Sequence, residues 1–331
     1  MTGDRALRLP TIIDVREAAA RLHGRIVRTP LLENAELNAR AGARVFLKVE
    51  TLQHTGSFKA RGAFNRLLQV RADERNRGVV AFSSGNHAQG VAFAARALSM
   101  PAVIVMPADA PAIKIDGTRT LGAEIVLYDR ARESREAIAA RIAAERGAVL
   151  VPSYDDPAII AGQGTLGLEA ADDLGRAGVA PDLVLAPVSG GGLIAGVSLA
   201  VHAAFPRAEI VAVEPEGFDD HARSLASGAI QRNEAASGSL CDALLAARPG
   251  DLTFAINRAH LAGGFAVSDA ETLGAVAFAA RTLKLVVEPG GAVALAAILT
   301  GKAALRGRNV LAVLSGGNID PALLTRALAS G

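Results

Sequence analysis

Short apolar runs alternate along the chain with longer alanine-rich segments in which apolar residues recur at helical spacing. Runs this short and continuous are typical of strands that are buried on both faces of a parallel sheet. They predict strands at Val45–Val49, Val79–Phe82, Ala102–Met106, Ile125–Leu127, Leu183–Pro187, Ile210–Val213 and Val310–Leu314. Between two of them, Ser134–Glu145 has the apolar stripe of an amphipathic helix. The alternation predicts an α/β fold with helices on both faces of the sheets.

Two polar or proline-containing breaks, Thr51–Gly56 and Pro152–Pro157, divide this pattern. About four strand–helix pairs fit between them. No repeat with a period of roughly 20–50 residues is present. The breaks therefore predict a compact unit inserted into a larger one.

Composition narrows the possible partners. The chain has 331 residues, of which half are apolar and 21% are charged, and its formal net charge is +2. This is the composition of a globular protein. The basic segment 71–77 is interrupted by Asp73 and Glu74, so no concentrated basic face is expected and nucleic acid is not a predicted partner.

The cysteine content and the N-terminus indicate the cellular location. Cys241 is the single cysteine, which excludes an intrachain disulfide framework and suits a reducing compartment. The basic residues near the start are not followed by an apolar core, so no signal peptide is predicted. No apolar run reaches the ~18 residues that a membrane helix needs. We therefore expect a cytoplasmic enzyme.

The first segment whose residues could take part in a reaction is TGSFKARGA, residues 55–63, which directly follows a predicted strand. Ser57 is a candidate N-cap, which would place Lys59 in the first turn of a helix. The positive end of the helix dipole disfavours a cation there. A surface lysine is one interpretation of this position, and a lysine that must lose its proton to form a Schiff base is the other.

The second segment is SSGNHAQG, residues 83–90, which again lies between a predicted strand and a helix. The hydroxyls of Ser83 and Ser84, together with free amides at a helix start, would make a natural site for a carboxylate. His87 is either an acid–base group or a residue that positions the loop, and we favour positioning.

The third segment follows the predicted strand Leu183–Pro187. Glycine amides at a helix start can close around a phosphate without obstruction from side chains. Gly190, Gly192 and Ala195 also fit a loose G-x-G-x-x-A dinucleotide pattern, and Glu214 ends the next strand. On this segment alone, phosphate binding and nicotinamide binding both stay open. Its residues are Ser189, Gly190, Gly191, Gly192 and Leu193.

Two further segments follow later strands. LSGGN, residues 314–318, places Ser315 at the end of the last predicted strand, where a hydroxyl can bond to a ligand ring or only cap a turn. EPEGFDDH, residues 214–221, clusters carboxylates and backbone carbonyls, which suits a hard divalent cation. Solvated loops also have this composition, and we favour the cation.

Taken in order, these segments resemble the fold-type II pyridoxal-phosphate enzymes, in the branch that contains serine/threonine dehydratase and serine racemase. The resemblance runs from Thr29 to Asn318 and rests on the series TGSFKARGA, SSGNHAQG, SGGGL, VEPEGFDD, TFAIN, VVEPGGA and LSGGN. We know of no nicotinamide enzyme with that series, so the dinucleotide interpretation loses its support. The resemblance implies two open, twisted, mostly parallel sheets flanked by helices. Residues 1–52 and 156–331 would form a large cofactor-binding domain, and residues 53–155 a small domain that closes over the substrate.

The resemblance also implies a role for each cofactor-binding residue. Lys59 would form the Schiff base with pyridoxal 5'-phosphate, and Phe58 would lie against one face of the ring. Asn86 would bond to the ring hydroxyl, and the amides of 189–193 would hold the phosphate. Ser315 would meet the pyridine nitrogen. A neutral serine stabilises a pyridinium less than an aspartate does, which favours rapid loss of a β-substituent over transamination.

The implied reaction converts L-threonine, L-serine or both to a 2-keto acid and ammonia. The Lys59 amine would take the α-proton, with its pKa lowered by burial. Ser83, Ser84, Asn86 and His87 would hold the substrate carboxylate. Ser84 would lie on the cofactor face opposite Lys59, where serine racemases place their second proton-transfer group.

Members of this branch with carboxylates six residues apart coordinate a divalent cation. The corresponding ligands here would be Glu214, the carbonyl of Phe218 and Asp220, with magnesium, manganese or calcium as the ion. The resemblance also implies a homodimer.

One departure concerns the side of the cofactor ring, where racemases and dehydratases carry an Asp-Gly pair and this chain has Asp242 and Ala243. The extra methyl group leaves the choice of substrate open. Serine racemase and 3-hydroxyaspartate dehydratase are the alternatives within the family. Arg135 resembles a racemase position that can meet a second carboxylate, although an exposed arginine on a helix is the interpretation that we favour for it. A non-catalytic ligand-binding relative is the alternative of another class, and Lys59 and Ser84 argue against it.

Overall fold

The computed structural model describes residues 8–83, 85–110 and 112–329. The strands in these ranges are β1 Leu31–Glu33, β2 Arg44–Val49, β3 Val79–Phe82, β4 Ala102–Pro107, β5 Glu124–Tyr128, β6 Val149–Leu150, β7 Leu183–Pro187, β8 Glu209–Pro215, β9 Gly263–Val267 and β10 Asn309–Leu314. The helices are α1 Ile12–Leu22, α2 Ala35–Ala41, α3 Lys59–Leu68, α4 Asn86–Ala97, α5 Ala112–Thr120, α6 Arg135–Arg146, α7 Pro157–Arg176, α8 Gly192–Ala204, α9 Asp220–Ser227, α10 Asp251–His260, α11 Asp269–Phe278, α12 Pro289–Leu299 and α13 Pro321–Ala329.

The strands form two sheets. The larger has the order β1-β2-β10-β7-β8-β9, and the smaller has the order β5-β4-β3-β6. Every pairing is parallel except that of β1 with β2. This confirms the predicted α/β fold with two mostly parallel sheets. All four strands of the smaller sheet lie within 53–155, while the domain boundaries themselves stay a prediction.

Each of the seven predicted strands is present, with ends that differ by at most two residues. The predicted helix 134–145 is α6, and Ser134 is its N-cap, accepting a hydrogen bond from the amide of Ala137. The prediction missed β1, β6 and β9. Two of these are only two or three residues long, and β9 begins with two glycines, so none shows an apolar run of strand length.

Strand β7 shows why the apolar runs are continuous. Its side chains alternate between two cores: Leu183 and Leu185 pack in the core that contains α12, while Val184 and Ala186 pack in the one that contains α8. Since both faces are covered by helices, no position on the strand can be polar without cost. Strand β7 accordingly has no polar side chain.

A buried ionic cluster fixes the start of α3 against the larger sheet and α7. The Arg61 guanidinium forms ion pairs with Glu50 at 2.7 Å and with Glu169 at 2.7 Å, and Lys48 also pairs with Glu169. The side chains of Arg61, Glu50 and Lys48 are fully buried. Removing one partner from such a cluster costs about 3–5 kcal/mol because it leaves a buried charge uncompensated. The cluster therefore fixes the backbone two residues from Lys59.

Within the described ranges, no helix is both long and apolar enough to cross a membrane.

Candidate active site

The candidate site is a cleft between the two sheets. It lies at the carboxyl ends of parallel strands, where open α/β sheets bind their ligands. The segments that follow β2, β3, β7 and β10 all reach it, and they contribute Lys59, Asn86, Gly191 and Ser315 among other residues. The fold thus brings together the four segments that the sequence singled out separately.

Lys59 is the first residue of α3, and its amine donates to the carbonyl of Ser153 at 2.8 Å. Burial lowers the pKa of this amine to about 8. The amine also lies 5.2 Å from the centre of the Phe58 ring. The predicted first-turn position of Lys59 is confirmed.

The predicted N-cap of this helix is wrong. Phe58 occupies the N-cap position, and no side chain caps the helix. Ser57 is extended and pairs with Gly316 as an isolated bridge, while its buried hydroxyl has no hydrogen-bond partner among the described residues. Its backbone is held by the neighbouring strand end, which takes it away from the capping geometry.

The segment after β3 supplies one wall of the cleft. The Ser83 hydroxyl accepts a hydrogen bond from the amide of Gly85 at 3.2 Å. His87 is buried, with Nε2 3.1 Å from the carbonyl of Val151. Burial, together with the nearby Lys59 amine, lowers the pKa of His87 to about 3, so the ring is neutral near pH 7. A neutral, anchored ring favours positioning over acid–base chemistry. Ser84 lies outside the described residues.

Asn86 begins α4 and is held at both ends of its amide. Its Nδ2 donates to the carboxyl of Glu288, and its Oδ1 accepts from Asn318 at 2.7 Å. The side chain lines the cleft and is almost fully buried. The Asn86 amide is therefore fixed before any ligand binds.

The glycine segment after β7 forms the opposite wall. A methyl group on Gly190 would lie 2.3 Å from the ring of Tyr154, so only glycine fits there. The main-chain N–H groups of 189–193 donate to no acceptor in the described part of the chain, as expected at the start of α8. Free amides without side-chain obstruction suit a phosphate.

Ser315 lies at the end of β10 with its side chain on the cleft. Its carbonyl accepts from the amide of Phe58 at 3.1 Å, which joins the lysine segment to the last strand. A primary amine of lowered pKa, free amides and a buried hydroxyl around one cleft are groups that fit pyridoxal phosphate. The individual assignments stay predictions.

Arg135 reaches the same cleft from the first turn of α6. Its guanidinium lies 5.3 Å from the centre of the Phe82 ring and pairs with the neighbouring Glu136 at 2.8 Å. Since Glu136 is mostly exposed, this pair is weak and leaves the guanidinium able to meet a ligand carboxylate.

The sequence did not single out Lys114 or Tyr154, which also line the cleft. Lys114 is buried and forms an ion pair with Asp242, so it joins α5 to the larger sheet's side of the cleft. Ala243, the departure beside the ring, lines the cleft as well. Neither Lys114 nor Tyr154 belongs to a motif with its own chemistry, so only the fold reveals them.

The predicted cation ligands lie at the end of β8 and the start of α9. Glu214 accepts from the amides of His221 and Ala222 at 3.0 and 2.8 Å. Asp220 has one oxygen bonded to Asn233, while Oδ2 is buried without a partner among the described residues. Burial and the Asp220 carboxyl raise the pKa of Glu214 well above its usual value.

Two buried carboxyls with an unpartnered oxygen fit a cation. However, no group of three or more His, Cys, Asp or Glu side chains suited to a metal occurs in the described residues. The site would thus depend on carbonyl or water oxygens for its remaining ligands.

The chain belongs to the pyridoxal-phosphate dependent enzymes, because the sequence model of that family matches residues 22–316. It is 44% identical over 314 residues to an L-threo-3-hydroxyaspartate ammonia-lyase of Pseudomonas sp., covering 95% of this chain and 97% of that protein. It is 42% identical to an L-threonine ammonia-lyase of Thermotoga maritima, covering 97% and 79%. The solved structure of maize serine racemase superposes on this fold with a TM-score of 0.91. The two sequences are 36% identical, and the match covers 97% of this chain and 98% of the racemase.

These comparisons confirm the predicted family, its fold-type and its cofactor. They leave the dinucleotide interpretation of the glycine segment without support. The relatives include both ammonia-lyases and a racemase, as the sequence led us to expect.

Proposed function

We propose that this protein is an ammonia-lyase that converts a small 3-hydroxy amino acid, L-serine or L-threonine, to a 2-keto acid and ammonia. The observation that carries the proposal is the Lys59 amine, with a pKa near 8, on the same cleft as the free amides of the glycine segment. An amine with that pKa is partly unprotonated near neutral pH, so it can act as a base. The named lyase relatives support the reaction class.

Each residue of the cleft would have a separate role in this reaction. The bound cofactor supplies a ring that withdraws electrons from the substrate's α-carbon. Lys59 would bond to the cofactor's aldehyde carbon at rest and hold the α-proton during turnover. The segment 83–87 would hold the α-carboxylate, and Ser315 would offer the ring nitrogen a neutral partner. Because Ser315 does not carry a charge, the site favours elimination over transamination.

Release of 2-keto acid from serine, threonine and the 3-hydroxyaspartate isomers tests the proposal. Turnover of L-serine or L-threonine, lost in the cofactor-free protein, is the expected result, and turnover of a 3-hydroxyaspartate isomer alone would favour the second candidate substrate below. Purified protein that carries the cofactor and releases no keto acid from any of these substrates would contradict it and leave the non-catalytic relative as the better description.

A specific observation favours 3-hydroxyaspartate as a second candidate substrate. The Arg135 guanidinium lines the cleft and forms a weak ion pair with the exposed Glu136. The second carboxylate of a substrate could displace Glu136 from this pair. A guanidinium binds a carboxylate with two parallel hydrogen bonds. The identity to a 3-hydroxyaspartate ammonia-lyase is consistent with this assignment.

Racemisation is the third activity that the relatives suggest. It would need a second proton-transfer group opposite Lys59, and the sequence offers Ser84 for that role. We expect racemisation to be minor. Replacement of Ser84 by alanine should then reduce D-serine formation while it preserves much of the elimination from L-serine. Equal or faster D-serine formation by that variant would refute the role.

We also propose that Glu214, the Phe218 carbonyl and Asp220 bind a divalent cation, that 53–155 moves as a small domain, and that the protein is a cytoplasmic homodimer. The unpartnered Asp220 oxygen supports the cation, and the separate smaller sheet supports the domain. The family resemblance supports the dimer, and the presence of a single cysteine, Cys241, supports a reducing compartment. Light scattering on purified protein tests the dimer directly.

A further inference from the structure

Glu288 belongs to the segment VVEPGGA, to which the reaction assigns no role. It is the N-cap residue of α12, yet its side chain bonds to no amide of that helix. The carboxyl is instead buried beside the cleft, at 1% exposure. A methyl group on Gly316 would lie 2.2 Å from Glu288 Oε1, so the neighbouring strand end leaves space for this carboxyl.

The carboxyl reaches the cleft through Asn86. Asn86 Nδ2 donates to Glu288 Oε1, and Asn318 Nδ2 donates both to Asn86 Oδ1 at 2.7 Å and to the carbonyl of Thr55 at 2.8 Å. This chain of bonds fixes which end of the Asn86 amide carries the donors. One N–H of Asn86 is left without an acceptor among the described residues.

The charge of Glu288 is not balanced by a direct partner. Oε2 is buried and has no hydrogen-bond partner in the described residues. The charged groups that face the carboxyl are Lys114 from α5, which favours its ionisation, and Asp242, which opposes it. Lys114 pairs with Asp242 and not with Glu288. Burial raises the pKa of Glu288 to about 7, so the carboxyl changes its charge in the physiological range.

We propose that Glu288 is a positioning residue that acts through Asn86 on the cofactor's ring hydroxyl oxygen, and that its ionisation weakens cofactor binding. A neutral carboxyl orients the Asn86 amide at no electrostatic cost. An ionised one places a negative charge one amide group away from the oxygen-rich edge of the ring. The inference rests on the proposed role of Asn86 toward the cofactor and does not depend on which amino acid is the substrate.

The test compares cofactor-free parent protein with Glu288→Gln, which keeps the shape of the side chain and cannot ionise. The dissociation constant for pyridoxal 5'-phosphate is measured by equilibrium titration between pH 6 and pH 8.5. Lys59 titrates in both proteins, so its contribution cancels in the ratio of the two constants. We expect similar affinities at pH 6 and an advantage of about threefold to tenfold for Glu288→Gln above pH 8, as a unit charge at a partly screened site produces.

Two controls separate this role from a general effect on the fold. Glu145→Gln makes the same chemical change on an exposed helix and should follow the parent at every pH. In an Asn86→Ala background, the pH-dependent effect of Glu288→Gln should be clearly smaller, because only the direct effect of the charge remains without the bonded amide. An unchanged ratio across the pH range, or an effect of the same size without Asn86, overturns the proposal.

The parent protein alone keeps the proposal testable if Glu288→Gln does not fold. Its binding curve should then show an ionisation near pH 7 that is clearly smaller in Asn86→Ala, and parallel curves for the two proteins would overturn the inference. Failure of the parent to bind the cofactor at any pH would refute the cofactor site itself and the inference with it. Cofactor binding with no effect of Glu288 would refute the inference alone.

Discussion

The amine of Lys59 lies 2.8 Å from the carbonyl oxygen of Ser153, a residue 94 positions further along the chain. This bond connects the first turn of α3 to the segment that leaves the smaller sheet after β6. The carbonyl holds the amine in the cleft without neutralising its charge, and burial lowers its pKa to about 8. A single hydrogen bond to a neutral acceptor is readily exchanged, so the amine is both positioned and available.

Replacement of Lys59 by alanine should abolish the visible absorption band of the cofactor-bound protein and reduce turnover by at least ~10³-fold, because the variant loses both the covalent anchor and the base. Absorption spectra and keto-acid release measure the two effects. Lys302→Ala is the matched control, since Lys302 pairs with Glu271 on the surface. A Lys59→Ala protein with normal turnover would contradict the assignment.

Replacement of Gly190 by alanine should weaken cofactor binding by tenfold or more, because the new methyl group would lie 2.3 Å from the Tyr154 ring and displace the glycine segment. The dissociation constant of the cofactor measures this. Gly274→Ala is the control: it lies within α11 with no atom near the new methyl group, and should stabilise the fold by up to ~1 kcal/mol. Equal cofactor affinity for both variants would show that the segment does not bind the phosphate.

The sequence predicts the sheets better than the cleft. Strands such as β7 are recognisable because both faces are buried, and this produces a continuous apolar run. The Ser57 cap was wrong because a tertiary contact with Gly316 overrides the local preference for capping. Lys114 and Tyr154 were missed because their position in the cleft depends on how the two sheets pack, and no local pattern encodes that.

Divalent cations should raise the melting temperature if Glu214 and Asp220 bind one, because a ligand of the folded state stabilises it by ~2.7 kcal/mol at a hundred times its dissociation constant. Scanning calorimetry with calcium, magnesium or manganese measures the shift. Asp220→Asn should abolish it, and Asp116→Asn, on an exposed helix face, should not. The same melting temperature in chelator and in excess cation would exclude the site.

The buried His87 should make the fold sensitive to acid. Its pKa is about 3 when folded and 6.5 in the unfolded chain, so between these values the unfolded state binds more protons and stability falls as the pH falls. Each pH unit contributes up to ~1.4 kcal/mol. Between pH 6 and pH 4.5, the free energy of unfolding should therefore decrease by about 1–2 kcal/mol less in His87→Gln than in the parent. Denaturant titrations measure this, and exposed His23→Gln should follow the parent.

Arg135 should decide between acidic and neutral substrates. Its guanidinium is held over the Phe82 ring on the cleft, and its partner Glu136 is mostly exposed, so a substrate carboxylate can compete for it. A charge-assisted hydrogen bond contributes about 1.5–3 kcal/mol, so Arg135→Ala should lower kcat/KM for 3-hydroxyaspartate by roughly 10- to 150-fold. For L-serine, which has no second carboxylate, kcat/KM should change little.

The control lies on the same helix: Arg141 is exposed and pairs with Glu145, so Arg141→Ala should leave both substrates unaffected. If kcat/KM decreased equally for 3-hydroxyaspartate and serine in Arg135→Ala, the guanidinium would support the segment that binds the α-carboxylate and would not contact the side chain of the substrate. If the parent enzyme turned over serine and threonine but no 3-hydroxyaspartate isomer, 3-hydroxyaspartate would be excluded as a substrate. Ala243 would then be the residue that limits substrate size, because it lines the same cleft.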